Sequence, residues 1–481
     1  KIHSGEELRL SPHCEIVLSL IGTTLPVLDV REAQRIHVKT ETIDDHLWLN
    51  AGTTNFVRLD QETTLTSDAD FIVGTPIRFG HSSMRRKLVL NIDALPWDII
   101  GTDFEVYIPE TAHFFARGTI FDQHFSAAEY TYPSLPTIET GMYPHHSGLF
   151  NNKLSMELRG ADVTLSERAR AAGYATAEVL GFGCGIYDGI LRGFDRLITS
   201  MYHVSASEGV EHTIHHLDAL RDADHYLLIH TSDVHPWPPP LFQIPTTVQA
   251  QLPLRERVTE ADHPVASPYM QPSPVNHRIF WQSIRDTDRA LGTLFSYLEE
   301  QYAPEDYIVN LYSDHGVSIF STTQDIVGTG LTHAAWMMRG AGVPEGVRTN
   351  ELTSAVDIYP ALARLLDFPV GSNVDGILPK ILGGTGRDIT YSNSLYPGKP
   401  YFLAARSRTH TLRLETQESV GMDGTVDLAH ANVAIYPRAH ENEAGYAVDS
   451  PELRAFFYPR VREFLRGIGN NGEIFPLPTK G

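Results

Sequence analysis

Short apolar runs that end at a carboxylate recur along this chain. Lys87-Leu88-Val89-Leu90-Asn91-Ile92 leads into Asp93. Tyr226-Leu227-Leu228-Ile229-His230 is followed by Asp233, and Tyr307-Ile308-Val309-Asn310-Leu311-Tyr312 by Ser313-Asp314-His315-Gly316. Runs this apolar and this short read as strands buried on both faces. Helical stretches lie between them. Thr164-Leu165-Ser166-Glu167 is a capping box that opens a short helix stopped at Gly173. Phe280 to Tyr297 is amphipathic, with Ile284, Thr287, Leu291, Leu294 and Leu298 on one side. Strands alternating with helices predict an α/β fold, a mainly parallel sheet sandwiched by helices. Ligands of such sheets bind beyond the carboxyl ends of the strands, so Asp93, Asp233 and Asp314 are expected on one rim.

The flanks read differently. Residues 1–85 show period-two alternation, as in Arg35-Ile36-His37-Val38-Lys39, and no helical period. They are expected to form an all-β, sandwich-like accessory module. Residues 86–385 are assigned to the α/β domain. Residues 386–481 are assigned to a small C-terminal α+β subdomain, with a strand near Thr409–Leu414 and a closing helix over Glu452–Leu465. Pro236-Trp237-Pro238-Pro239-Pro240 reads as a rigid loop, and residues 240–277 as a long insertion over a site.

Charge and composition exclude several functions. With 38 Lys and Arg against 59 Asp and Glu, the formal charge of −21 repels nucleic acid and anionic lipid surfaces. No apolar run approaches the roughly 18 residues of a membrane helix. Two cysteines, Cys14 and Cys184, make neither a disulfide framework nor a cysteine-rich zinc site; one bridge and two free thiols both remain open. The residues do not choose a compartment.

Five segments carry chemistry. Thr131 opens a short helix that ends at Thr140-Gly141-Met142-Tyr143-Pro144, and its hydroxyl lies beside free N–H groups where a phosphate or sulfate could sit. The bland alternative is a helix-capping threonine. Asp314 and His315 can both reach one ion if the chain turns sharply at Gly316. Asp93 ends its strand. His230-Thr231-Ser232-Asp233-Val234-His235-Pro236 holds two imidazoles and a carboxylate, and Thr332-His333 follows.

In their order these motifs resemble the alkaline phosphatase superfamily, in its sulfatase and phosphodiesterase branches. The metal-binding aspartate after the first strand matches Asp93. The nucleophile nine residues before Thr140-Gly141 matches Thr131. Leu165 through Gly173-Tyr174-Ala175-Thr176, Asp288-Arg289-Ala290-Leu291-Gly292, Ser313-Asp314-His315-Gly316 and Asp357-Ile358-Tyr359-Pro360 match further family segments. The resemblance spans roughly residues 87 to 370. Two departures matter. Sulfatases carry a Cys or Ser that becomes formylglycine, in the pattern Cys/Ser-x-Pro-x-Arg; here those positions are Thr131 and Leu135, and threonine cannot make that conversion. Thr131-Tyr132-Pro133 is closer to the Thr-Phe-Pro of nucleotide pyrophosphatase/phosphodiesterases, and lipoteichoic-acid synthases and phosphoethanolamine transferases also use threonine. The second departure is that the residue four after Asp233 is Trp237, not the histidine of two-zinc enzymes.

The resemblance implies a divalent ion, Mn or Zn ahead of Ca or Mg, held by Asp93, Thr131, Asp314 and His315. One ion is favoured over two, with Asp233, His235 and His333 as a tentative second set. It implies Asn152 (or Asn151) at a phosphoryl oxygen, and His235 or His333 as the proton donor to the leaving alcohol. The expected activity is phosphoryl transfer through a phosphothreonine at Thr131, as phosphodiesterase or phosphotransferase. The alternatives are a sulfatase-like or phosphonate-ester hydrolase without formylglycine, and a non-catalytic ligand-binding member. The expected partner is a phosphate- or sulfate-ester substrate. The β-module is left a role in glycan contact or self-association.

Overall fold

The computed structural model describes residues 1–12, 14–20, 34–49, 54–74, 76–78, 88–93, 95–151, 157–181, 190–200, 204–221, 223–231, 233–235, 250, 253–254, 274–320, 325–443 and 445–468. The proline-rich loop, nearly all of the 240–277 insertion, Asn152 and Cys184 lie outside them.

Eight strands precede the α/β part: β1 (Leu8–Leu10), β2 (Cys14–Leu20), β3 (Gln34–Lys39), β4 (Asp44–Leu49), β5 (Thr54–Leu59), β6 (Thr63–Thr66), β7 (Phe71–Val73) and β8 (Ile77–Arg78). They form two sheets, one ordered β1-β6-β3-β4 and the other β5-β2-β7 with β8 on β2. The alternation read in β3 holds, with Ile36 buried and Arg35 and Lys39 exposed. Leu10, Ile16, Ile36, Leu49, Leu59, Leu65 and Phe71 make one core of their own.

The central sheet has eight strands: β9 (Leu88–Asp93), β10 (Thr119–Phe125), β11 (Ala175–Gly181), β12 (Arg196–Ser200), β13 (His225–His230), β14 (Tyr307–Tyr312), β15 (Trp336–Gly340) and β16 (Val347–Ser354). Their order is β12-β11-β13-β9-β14-β15-β10-β16. All pairs are parallel except the two that β15 makes, with β14 and with β10. Strands β11, β13 and β14 are buried at every residue, as a sheet covered on both faces requires.

Alternate residues feed opposite layers. Leu227, Ile229, Val309 and Leu311 pack under the helices Ala206–Ala219 and Pro274–Gln301. Tyr226, Leu228, Ile308 and Tyr312 pack under Thr131–Thr140, Leu165–Ala171 and Ile358–Leu365. Burying each large apolar side chain contributes about 1.5–3 kcal/mol. The long helix runs well beyond both ends of the predicted 280–297. Its expected apolar side, from Ile284 to Leu298, is buried throughout.

Beyond residue 386 come β17 (Thr390–Ser394), β18 (Pro400–Arg406), β19 (His410–Ser419) and β20 (Ala431–Pro437), an antiparallel sheet in that order. The helix Pro451–Phe464 closes it. Their core includes Ala127, Tyr143, Phe150 and Val356 from the α/β part, so the C-terminal sheet packs directly behind the Thr131 helix. No helix of the described residues is long and apolar enough to cross a membrane.

Candidate functional site

Thr131 is the first helical residue, not the cap. Tyr130 is the cap residue, in extended backbone (φ −151°, ψ 164°), and no side chain caps this helix. The Thr131 hydroxyl is therefore not used up in capping. It lies 3.3 Å from His315 Nε2. At the other end Gly141 closes the helix at φ +69°, and a Cβ there would run into Tyr359 and Val374. Glycine is required for both reasons.

His315 is fixed in one tautomer by its surroundings. Its Nδ1 lies 2.7 Å from the Gly316 carbonyl, so that nitrogen carries the hydrogen and donates it. In the neutral ring Nε2 is then an acceptor, and the Thr131 hydroxyl donates to it. Asp314 Oδ1 accepts the His315 amide (2.8 Å), and Asp314 Oδ2 is 3.5 Å from His315 Nε2. Gly316 is not in left-handed backbone. Its place is taken by glycine because a Cβ would collide with the Gly330 carbonyl.

Two more imidazoles stand here. The His235 ring is 5.8 Å from that of His315, edge-on at 84°. His230 is buried at the end of β13. Burial lowers its pKa, with Asp314 opposing and His315 reinforcing the shift, so the ring is neutral near pH 7. Asp93 ends β9 in register with His230 on one side and Tyr312 on the other. The backbone thus sets Asp93 on the same rim, one residue level from Ser313-Asp314.

The donor chemistry fits a divalent ion. A carboxylate oxygen of Asp314 and the hydroxyl of Thr131 both lie within 3.5 Å of the imidazole nitrogen of His315. Such a mixed oxygen and nitrogen set suits Zn or Mn.

Other predicted residues are placed elsewhere. Asp233 Oδ2 accepts the Ala206 amide (2.6 Å) at the start of the Ala206–Ala219 helix, and burial pushes its pKa up to about 6. His333 Nε2 donates to the Asp122 carbonyl (2.8 Å), its Nδ1 is 3.6 Å from Asp98 Oδ1, and its ring stacks on Phe125 at 5.0 Å. The structure does not bring Asp233, His235 and His333 together, and among the described residues no three His, Cys, Asp or Glu side chains converge as an ion site. Asn151 is fully buried and donates to the Met422 carbonyl (2.8 Å). Leu135, at the arginine position of the sulfatase pattern, is buried in the apolar layer. Asp288 caps the Pro109–Phe115 helix through Glu110 and Thr111, and Asp357 pairs with Arg387. Both are structural.

Two neighbours of the site were not singled out from sequence. His230 belongs to a motif that was noted, but its part in the cluster depends on its register with Asp93. Glu129, fully buried two residues before Thr131, is pushed up to about 7 by burial, with the Ser394 hydroxyl bond opposing. An isolated glutamate in a loop-like stretch gives no sequence signal of burial.

A mainly parallel sheet between helix layers, carrying Asp93, Thr131, Asp314 and His315 on its carboxyl rim, defines an alkaline-phosphatase-like protein. The structural relatives agree. A phosphonate monoester hydrolase from Silicibacter pomeroyi superposes with a TM-score of 0.59 at 15% identity, covering 80% of this chain and 95% of that one. A structure solved in complex with its substrate D-glucosamine-2-N,6-O-disulfate gives 0.57 at 15% identity, covering 80% and 98%. The sulfatase family model matches residues 92–368, more than half of the chain, and the chain belongs to the sulfatase family. Arylsulfatase K of Gallus gallus is 28% identical over 108 residues, a match that spans 21% of this chain and 20% of that protein.

Proposed function

We propose that this chain is a metal-dependent hydrolase or transferase of phosphorus esters, phosphodiesters and phosphonate monoesters first, with Thr131 as nucleophile. The observation that carries this reading is the Thr131 hydroxyl donating to His315 Nε2 at 3.3 Å, while Nδ1 is committed to the Gly316 carbonyl.

Asp93, Asp314, His315 and Thr131 would hold one ion. When bound, it lowers the proton affinity of the threonine hydroxyl and offsets charge on the ester oxygens. The remaining work belongs to side chains. The Thr131 proton passes to solvent water, and the freed oxygen attacks phosphorus, forming a Thr131 O–P bond as the bond to the leaving alcohol breaks. His235, beside His315, supplies the proton that the leaving oxygen takes up. Water or an acceptor hydroxyl then attacks phosphorus, giving its proton to His235, and the Thr131 O–P bond breaks. His333 is disfavoured as the proton donor because its Nε2 is bonded to the Asp122 carbonyl. Asn152 is kept as the group at a phosphoryl oxygen on the strength of the motif.

A second reading, a sulfate-ester hydrolase, is favoured by the family match. It has to work without formylglycine, through the same threonine. A panel of aryl phosphate monoester, phosphodiester, phosphonate ester and sulfate, with Mn or Zn supplied, separates the two. Diester or phosphonate turnover that disappears in Thr131→Ala supports the first reading. Sulfate turnover alone replaces it with the second, and turnover that survives Thr131→Ala overturns both.

A further inference from the structure

The residues just before Thr131 are held by the C-terminal sheet. Ser392 Oγ donates to the Ser126 carbonyl (2.6 Å), the Asn393 amide to the Ala127 carbonyl (2.9 Å), and Ser394 Oγ to Glu129 Oε1 (2.5 Å). All three donors lie on β17. Behind them Arg406 of β18, fully buried, donates to Ser392 Oγ (3.1 Å) and pairs with Glu441 (2.6 Å).

Two of these three contacts use backbone carbonyls and are indifferent to the side chains at 126–129. The third depends on a carboxyl group. Glu129 is fully buried, and its Oε2 meets no hydrogen-bond partner among the described residues. Leaving a buried acceptor unsatisfied forfeits the hydration it had in the unfolded chain. A smaller or apolar residue would seal this loop at lower cost, and groups retained against such a cost gather at functional sites.

What Glu129 supplies is control over its neighbour. Only Tyr130 separates it from Thr131, and Tyr130 is itself extended and tied down, its hydroxyl donating to the Phe150 carbonyl (2.6 Å) and its ring meeting Tyr396 at 5.4 Å. Fixing the Glu129 carboxyl therefore fixes the backbone from which the Thr131 helix departs.

We propose that Glu129, held by Ser394, is a positioning residue for Thr131, through which the C-terminal sheet sets the threonine hydroxyl against His315. The proposal rests on Thr131 as nucleophile. It assigns the C-terminal sheet a part in turnover as well as in packing.

The test uses the full chain with Mn²⁺ and para-nitrophenyl phenylphosphonate, and crystal structures of wild type and Ser394→Ala that need no substrate. Ser394→Ala and Glu129→Ala should each lower kcat by about 10- to 100-fold, as small displacements of reacting groups do. KM should stay within about twofold, because ground-state binding is not what the latch controls. Glu129→Gln should restore kcat to within about threefold of wild type, since its amide oxygen accepts the same Ser394 hydroxyl. The double variant Glu129→Ala/Ser394→Ala should be no slower than either single one. In the Ser394→Ala crystal structure Thr131 Oγ1 should sit beyond about 3.5 Å from His315 Nε2, outside hydrogen-bond reach.

Wild-type kcat in folded Ser394→Ala with only a lowered Tm overturns the proposal, as does an unmoved Thr131 in that crystal structure. If Glu129→Ala does not fold, Ser394→Ala carries both arms, and the crystallographic arm stands even where the ester is not turned over. A dead Thr131→Ala beside normal latch variants sinks the latch alone. An active Thr131→Ala sinks the nucleophile assignment, whatever the latch variants do.

Discussion

His315 and His333 flank neighbouring strands of one sheet rim, yet they are prepared for different work. His315 follows β14, gives its Nδ1 hydrogen to the Gly316 carbonyl, and turns Nε2 toward the Thr131 hydroxyl. His333 precedes β15, spends Nε2 on the Asp122 carbonyl, faces Asp98 with Nδ1, and lies flat on Phe125. The same side chain turns a ring nitrogen to the Thr131 hydroxyl in one corner and braces a carbonyl in the other. The difference lies in which ring nitrogen the backbone occupies, a property of the fold and not of the residue type.

The strongest test of the working corner is Thr131→Ala, expected to cut kcat/KM by on the order of 10³-fold or more with thermal unfolding unchanged. Retained turnover would leave the corner without its nucleophile. Next comes the paired substitution of the two histidines. His315→Ala should cost about 10²- to 10³-fold in kcat and lose divalent-ion affinity. His333→Ala should cost less than about tenfold in rate but about 1–3 kcal/mol in stability, because the Asp122 carbonyl loses its donor. Steady-state kinetics beside denaturant melts would decide, and a reversal of the two patterns would exchange the roles.

Gly141→Ala probes the far end of the Thr131 helix. It should lower stability by about 1–3 kcal/mol through the left-handed backbone and the contact with Tyr359 and Val374. A neutral melt would show that this end of the helix can give way. The smallest expected effect concerns pH. His124, beside the His333 corner, is held down to about 3, first by burial and then by His333 and Arg387. Its folded pKa is below the ordinary 6.5, so the folded chain binds fewer protons than the unfolded one. The contribution to stability is complete above about pH 6.5 and is lost as pH falls, by ~1.4 kcal/mol at about pH 5.5. Denaturant melts at both pH values should show a shallower acid loss in His124→Gln than in wild type. Equal slopes would remove His124 from the account.

Much of this was legible in the residues. The strands ending at Asp93, His230 and Tyr312, the Thr164 capping box, the helix face from Ile284 to Leu298 and the closing helix at Pro451–Phe464 follow from periodicity and caps. β10, β15 and β16 were not foreseen. Mixed segments such as Thr119–Phe125 and Val347–Ser354 carry their polarity to match particular neighbours, and those neighbours are distant in sequence. Asp93, Thr131, Asp314 and His315 stand out in the sequence because motif spacing ties each to a strand or helix end. Asp233 was grouped with them for the same reason, but its carboxylate turns to the Ala206 amide.

By itself, then, the sequence determined the layers, the carboxyl rim and the residue types offered there. Apolar period and capping are local properties, and chain order brings strand ends to one side of a parallel sheet. Only the tertiary structure decided which nitrogen of each histidine is committed, that Asp233 caps a helix, and that Glu129 is buried against Ser394. Apart from His315, whose partner is the next residue, those outcomes depend on hydrogen-bond partners 27 to 265 positions away along the chain. Once water is excluded, a buried polar group must take whichever partner the packing brings within about 3 Å.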